Sequence, residues 1–526
     1  MRHMKKLAAL LLALVMALAL AVPAVAAEDV VNETTNRQYR VYQIFAGDQA
    51  EDSDALGNVQ WGQSVIDPDT ILNVLKSHSR FVVDGKSIFA ECTTAEQVAA
   101  VLAQYSDNSE IARSFATVVT QYMSNECATI TDDTTSLELE AGYYLVCQSL
   151  YNTGNGAYNS SLLQVTKKGK FTVAEKFSIP TVKKYVKAAD GGWNKEASWS
   201  IGDDVSFRLV ATLSKNYFDY ETYNFIFHDA LSTAFQYNND YKVYVKNGDD
   251  QTDITSSFVS NTDKICSCNH RIIDCNLRFS CKDLKAIAGV TITENSEIVV
   301  EYTAKLLNTA SVGGAGNLNE TIVEYPVIPT ISRTYNAFTQ VKDTVMVFTN
   351  EFDITKVDGA DNSKKLQGAE FKLEKGGKYV IVDSNNKVSG WANTLAAGST
   401  LTSDADGLVK IIGLGEGTYK LHEIKAPAGY NVLTATIGVV ITDVTGTDTG
   451  TGLPKLNRLT IALDGGDAQD GDVTTGLVTA TVENNTGASL PETGGVGTTL
   501  FYIIGGMLMV GAAVLLVTRK RMSDAK

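Results

Sequence analysis

Apolar and polar residues alternate along most of the chain. Val205, Phe207, Leu209, Ala211 and Leu213 share one parity. Phe225 with Phe227 and the series Ile298, Val300, Tyr302 and Ala304 repeat the pattern. Strict alternation predicts strands with one buried face, packed as a sandwich. Residues 346–487 read likewise, with turn signals at Asp404-Ala405-Asp406-Gly407 and Ala428-Gly429 and a last strand carrying Val478, Ala480 and Val482. Residues 27–177 mix periods. Tyr39 to Phe45 and Gly142 to Val146 read as strands. Thr94-x-x-Gln97 opens a helix with Val98, Val101, Leu102 and Tyr105 on one face, and Ile111, Phe115, Val118, Val119 and Tyr122 repeat the helical period. The expected fold is mainly β: a β domain with inserted helices over 27–177, then sandwiches over 178–345 and 346–487.

Both ends depart from alternation. Arg2, Lys5 and Lys6 precede the apolar Leu7 to Val22, and Ala24-Val25-Ala26 has the small-residue spacing of a cleavage site. Residues 1–26 therefore read as a secretory signal peptide, with cleavage after Ala26 or Ala27. At the other end an apolar run, Leu500 to Val517, precedes Arg519-Lys520-Arg521. Its length approaches a bilayer span, and the basic tail should stay cytoplasmic. What lies between is long enough for three domains, each able to bury its own core.

Charge and composition narrow the partners. A formal net charge of −15 argues against nucleic acid. His3, His78, His228, His270 and His422 form no nucleophile–base spacing, so a turnover enzyme is not expected. Of seven cysteines, Cys92, Cys127 and Cys147 fall early, while Cys266, Cys268, Cys275 and Cys281 cluster. Their C-x-C-x6-C-x5-C spacing, even with His270, matches no common zinc pattern. In an exported chain they read as a disulfide-stapled loop, with the odd cysteine a free buried thiol and no metal or other cofactor. Four cysteines allow three pairings, and spacing does not choose among them.

Following the alternation further exposes an anomaly. Lys184 shares the inward parity of Val182 and Val186, and Lys356 that of Phe352 and Ile354. A buried lysine is costly unless paired or neutral. Polar partners obey the same parity: Asp229 after Phe225 and Phe227, Glu423 after Tyr419 and Leu421, and Asn484 after Val478, Ala480 and Val482. Asn319 shares parity with Thr321, Val323 and Tyr325, but the apolar Ile322 does not. Burial lowers a lysine pKa and raises that of an acid, so a neutral amine can meet a protonated carboxyl beside a carboxamide. Attack with loss of ammonia would leave a Lys–Asn isopeptide bond tying the first strand to the last. A buried salt bridge is the plainer reading of each lysine–acid pair; an asparagine present twice favours the cross-link. Residues 27–177 offer no inward lysine in their opening strand, so no bond is expected there.

Three resemblances follow from these residues. Leu490-Pro491-Glu492-Thr493-Gly494, the apolar run and the basic tail resemble the sorting signal of Gram-positive surface proteins over 488–526. That resemblance implies cleavage after Thr493 by a sortase and transfer of its carbonyl to an amine. The 178–345 region resembles the isopeptide-forming D2 domain of fimbrial proteins through Pro180-Thr-Val-Lys-Lys184, Ile201-Gly-Asp-Asp-Val-Ser-Phe207, Phe227-His-Asp-Ala-Leu231 and Gly316-Asn-Leu-Asn319. The 346–487 region resembles the SpaA-type, CnaB-like pilin domain through Ile354-Thr-Lys356-Val357, Leu366-Gln-Gly-Ala-Glu-Phe-Lys-Leu373 and Tyr419-Lys-Leu-His-Glu423-Ile-Lys-Ala-Pro-Ala-Gly-Tyr430.

These likenesses imply tandem Ig-like, CnaA/CnaB-type sandwiches. They imply the triads Lys184/Asp229/Asn319 and Lys356/Glu423/Asn484, the acids being catalytic, with Asn317 and Asn485 as the next acceptors. Backbone pilins of this kind carry a linking lysine before the second domain, often as Tyr-Pro-Lys. Here Lys176 has that place, although Ala174-Glu175 stands where the family has Tyr-Pro; Lys183 and Lys187 are rivals. The implied protein is a subunit of a covalently polymerised pilus, extracellular and finally attached to the cell wall. Its partners would be sortase, further copies of itself, minor pilins, a peptidoglycan precursor and a ligand on a host or neighbouring cell. The alternative is a monomeric wall-anchored adhesin of the same make.

Overall fold

The structure is a computed structural model and describes residues 39–49, 55–106, 109–130, 137–148, 160–171, 180–262, 273–326, 336–338, 342–487 and 496–523. The expected signal peptide, Cys266, Cys268, Lys176 and the LPETG residues lie outside them.

Strands dominate. In the first region Tyr39–Gln49 is flanked by Leu56–Trp61 and Gly142–Gln148, with Ser160–Val165 next and Ala128–Ile130 also pairing with Tyr39–Gln49. Helices Pro68–Ser77, Ala95–Leu102 and Glu110–Val119 cover one face. Their apolar stripes bury Leu75, Val98, Phe115 and Val119 against Ile44, Phe45 and Leu145. The Thr94 side chain caps the second helix by accepting from Gln97 N at 3.3 Å, but Gln97 Oε1 reaches Thr93 N at 2.6 Å rather than Thr94 N. Both of the later helices end sooner than their periodicity suggests, leaving Tyr105 and Tyr122 beyond Leu102 and Val119.

The second region is a sandwich of two seven-stranded sheets. One contains Val182–Lys187, Asp204–Thr212 and Glu297–Leu306. The other contains Phe225–Leu231, Asn317–Pro326 and Asp343–Phe348. The alternating residues Val205, Phe207, Leu209, Ala211, Val300, Tyr302 and Ala304 fill the space between them. Ile322, off parity, is buried on the opposite face beneath Ile273 and Cys275. Cys275 is disulfide-bonded, while Cys92, Cys147 and Cys281 are buried thiols outside any disulfide and Cys127 is a half-buried one.

In the third region Asn350–Asp358 lies between Leu408–Leu414 and Leu477–Asn484, the latter running parallel to it. This sheet packs on an eight-stranded one containing Glu370–Lys375, Gly417–Lys425 and Ile437–Thr447. The change of sheet falls at Thr349, because Asp343–Phe348 still belongs to the second region.

The second and third regions do not keep the separate cores that their length suggested. One apolar cluster runs through both, including Ile201, Val347 and Phe348 with Phe352, Leu414 and Tyr419. The seam is also hydrogen-bonded: Ile201 N donates to Gly413 O at 2.9 Å, and Gly415 N to Ser200 Oγ at 3.0 Å. At the other boundary Arg113 stands 5.6 Å over the Phe218 ring, and Arg80 donates to the Asp219 carbonyl.

Residues Val496–Ser523 form one helix. Its Phe501–Lys520 stretch has a mean hydropathy of 2.2 and is long and apolar enough to cross a membrane.

Candidate functional site: two buried lysine, acid and asparagine clusters

Each of the two sandwiches brings its inward lysine, acid and asparagine together. In the second region Lys184 projects from Val182–Lys187 into the sandwich and is fully buried, as are Asp229 and Asn319. Asp229 lies opposite Thr321, and Asn319 opposite Leu231, so acid and amide occupy one face of neighbouring strands. Lys184 comes from the facing sheet, where it pairs with Leu209. Its Nζ donates to Asp229 Oδ2 and, at 3.3 Å, to Tyr302 Oη.

Tyr302 joins the cluster from the same sheet as Lys184. Its hydroxyl donates to Asp229 Oδ1 at 3.1 Å and accepts from Asn319 Nδ2 at 2.8 Å. Asn319 Oδ1 is buried without a hydrogen bond. The Phe207 ring packs 5.4 Å from that of Tyr302, and Lys184 Nζ lies 5.7 Å from the Phe207 centroid. In this dry setting desolvation pulls the Lys184 ammonium down to about 8 against the opposing charge of Asp229. Desolvation also raises the Asp229 carboxyl, with Lys184 opposing. Both shifts favour a neutral amine beside a protonated acid.

The third region builds the same set from other strands. Lys356 lies beside Val482 on the parallel partner strand, two residues before Asn484. Its Nζ donates to Val482 O at 3.0 Å and stands 3.8 Å from Glu423 Oε1. Glu423 Oε2 accepts from Asn484 Nδ2 at 3.0 Å and from Leu433 N at 2.7 Å; Asn484 Nδ2 also reaches Asn431 O at 2.7 Å. Glu423 Oε1 and Asn484 Oδ1 are buried without hydrogen bonds. Desolvation lowers the Lys356 ammonium to about 8, with Glu423 and Glu483 opposing.

Several details differ from the sequence reading. Asn319 is not on the last strand of its sandwich, because Asn336–Phe338 and Asp343–Phe348 follow it. In the second cluster the hydroxyl of Tyr302, rather than the acid, bonds the asparagine. Tyr302 was visible only as one inward aromatic in an alternating series, and that parity was its one signal. Asn317 is buried but engaged with Ser311 and Val347 O, and Asn485 is exposed. Lys183 is exposed; Lys187 is half-buried, 5.8 Å from the Trp193 centroid. Among the described residues no cluster of His, Cys, Asp and Glu is placed to hold a metal ion.

Comparison with known proteins agrees with this architecture. Residues 350–451 match the SpaA family, a prealbumin-like fold domain, and residues 482–524 match the LPXTG cell wall anchor motif. A trypsin-resistant surface T6 protein of Streptococcus pyogenes serotype M6 is 23% identical over 276 residues, covering 42% of this chain and 48% of that protein. The chain thus matches about half the length of this curated relative. Among solved structures, the group B streptococcus pilus 2b backbone protein is 25% identical, with 60% of this chain and 100% of that one covered and a TM-score of 0.36. The T6 backbone pilin of serotype M6 Streptococcus pyogenes is 16% identical, with 86% and 96% covered and a TM-score of 0.43. The chain thus carries a SpaA-type, prealbumin-like domain followed by an LPXTG cell wall anchor motif.

Proposed function

We propose that the chain is the backbone subunit of a covalent pilus, locked internally by two Lys–Asn isopeptide bonds. The observation that carries the reading is the doubled buried cluster: an amine lowered to about 8, an acid and a carboxamide in each sandwich. In each, the neutral lysine Nζ attacks the asparagine Cγ. A new C–N bond forms, the Cγ–Nδ2 bond breaks and ammonia leaves. The acid holds the proton given up by the amine and supplies one to the departing nitrogen. Enclosure between sheets replaces a bimolecular encounter by a fixed one. Each site acts once, on its own chain.

Between subunits the electrophile is the Thr493 carbonyl, activated by a sortase cysteine, and the amine is Lys176 of the next copy. Final transfer to a peptidoglycan amine attaches the fibre to the wall. A singly anchored adhesin is the second reading, favoured by Ala174-Glu175 before Lys176. Intact mass tests the internal bonds: the processed chain should be lighter than its sequence by two molecules of ammonia, and an unshifted mass refutes them. Lys176→Arg tests the polymer. High-mass ladders in cell-wall extracts should vanish, whereas unchanged ladders exclude Lys176, and no ladders in the parent strain support the adhesin.

A further inference from the structure

The two clusters differ where chemistry is most sensitive. In the third region the glutamate touches the asparagine directly, Nδ2 to Oε2 at 3.0 Å. In the second the acid is an aspartate, one methylene shorter, and the Asn319 nitrogen bonds Tyr302 Oη instead. We infer that the Tyr302 hydroxyl is a catalytic proton relay, carrying a proton from Asp229 to the departing nitrogen of Asn319. This rests on reading the second cluster as an isopeptide-forming site.

Three contacts support the assignment. Tyr302 Oη receives Lys184 Nζ at 3.3 Å and Asn319 Nδ2 at 2.8 Å, and gives its own proton toward Asp229 Oδ1 at 3.1 Å. A hydroxyl has one donor and two acceptor positions, so its capacity is used entirely by the two reacting nitrogens and the acid. Tyr302 is buried and its ring is held by Phe207, Phe279 and Tyr237 at centroid distances of 5.4, 5.4 and 5.7 Å. Burial and the nearby Asp229 charge push the phenol well above its ordinary range, so it works as a neutral relay rather than as a phenolate.

The proton count closes. Lys184 enters as an ammonium beside the Asp229 carboxylate and gives one proton to Oδ2. The neutral amine adds to Asn319 Cγ. Tyr302 then passes its proton to Nδ2 and takes one from Asp229 through Oδ1, and Asp229 accepts the surplus proton of the new amide nitrogen. Three hydrogens on Lys184 and two on Asn319 become one on the isopeptide, three on ammonia and one left on Asp229. The acid ends neutral, which suits a site where an unpaired charge would have no water.

The test is a time course on the full chain after cell-free synthesis, reading the Lys184–Asn319 and Lys356–Asn484 cross-linked peptides separately by mass spectrometry. Tyr302→Phe should slow the first bond by about 10²-fold or more, the usual weight of a positioned proton donor, and leave the second unchanged. Adding Asp229→Glu to Tyr302→Phe lengthens the acid toward Asn319 and should restore much of the rate, which a merely structural tyrosine would not explain. A wild-type rate in Tyr302→Phe overturns the relay, as does a folded double variant that stays as slow as the single one. If the parent chain lacks the Lys184–Asn319 peptide, the isopeptide reading of this cluster has failed instead.

Discussion

Replacing Glu423 by Gln is the sharpest probe of what holds the third region together. The amide keeps the side-chain shape and an acceptor for Leu433 N, but cannot manage the protons of the reaction. Lys356 and Asn484 should both survive unreacted. A bond between them closes a loop of about 129 residues, and the chain-entropy estimate for such a closure is about 5 kcal/mol at 25 °C. How far that moves the melting temperature depends on what melts. If residues 350–487 unfolded alone, an unfolding entropy of about 2.1 cal/mol/K per residue would turn 5 kcal/mol into about 17 °C. The apolar cluster runs without a break through Phe348, Phe352 and Leu414, so the second and third regions are expected to melt together. Over about 300 residues the same loss becomes about 8 °C.

The expected result is therefore one calorimetric transition, lowered by about 8 °C, in a protein that loses one ammonia fewer than the parent relative to its own sequence mass. Glu423→Gln also leaves the buried Lys356 without its acid, so Lys356→Met serves as a control that removes both bond and cation. Similar drops in the two variants assign the loss to what they share, the missing cross-link. The reasoning is refuted if Glu423→Gln still loses ammonia at this site, or if the bond is absent and melting moves by less than about 2 °C.

Three further outcomes follow from the geometry. The proton that Lys356 gives up must stay in the site to reach the leaving nitrogen, so Lys356–Asn484 bond formation should be flat near neutrality. Above about 8, where the lowered lysine loses that proton, the rate should fall tenfold per pH unit; a rate still climbing at pH 9 would show that the acid proton is unnecessary. Gly415→Ala would set a methyl carbon 2.6 Å from the Trp199 backbone, so the seam must open and the single transition should split in two; an unchanged single transition argues against coupling through this seam. Alkylation of the denatured chain without reductant should label Cys92, Cys127, Cys147 and Cys281 but spare Cys275, and labelled Cys275 would contradict its disulfide.

Much of this architecture was legible because alternation is a local signal. Val205 to Leu213 and Ile298 to Ala304 show their buried face in sequence order, and a lysine on that face stands out. What crosses between sheets was not legible. Tyr302 is one aromatic among many at inward positions, and only the facing strands put its oxygen beside Asp229 and Asn319. Ile322 looked out of register because its far face is covered by Ile273 and Cys275, long-range neighbours that parity does not reveal. The continuous core is hidden from the sequence for a similar reason. Length suggests separate domains, yet only Thr349 separates the Asp343–Phe348 and Asn350–Asp358 strands, too little chain to let the two sandwiches part.

Under the proposed function the two cross-links would carry tension differently. In the third region the chain enters along Asn350–Asp358 and leaves along its parallel neighbour Leu477–Asn484. A Lys356–Asn484 bond joins entry to exit, so force crosses from one strand to the next and bypasses everything between. In the second region a Lys184–Asn319 bond shields residues 185–318 but leaves 320–348 in the path. Those residues include most of Asn317–Pro326 and all of Asp343–Phe348, held to each other by antiparallel backbone bonds and, at 346–348, by the parallel strand Glu196–Ser198. Pulling a single subunit between Lys176 and Thr493, the two linkage points of the proposed polymer, should therefore release at most about 100 Å from these 29 residues, at roughly 3.3–3.6 Å each. Steps longer than about 400 Å would mean that the loop between Lys184 and Asn319 had opened, and that no covalent bond closes it. A mutant blocked at Asn319 should show such a step where the parent does not, because its tension runs through every strand of the second sandwich.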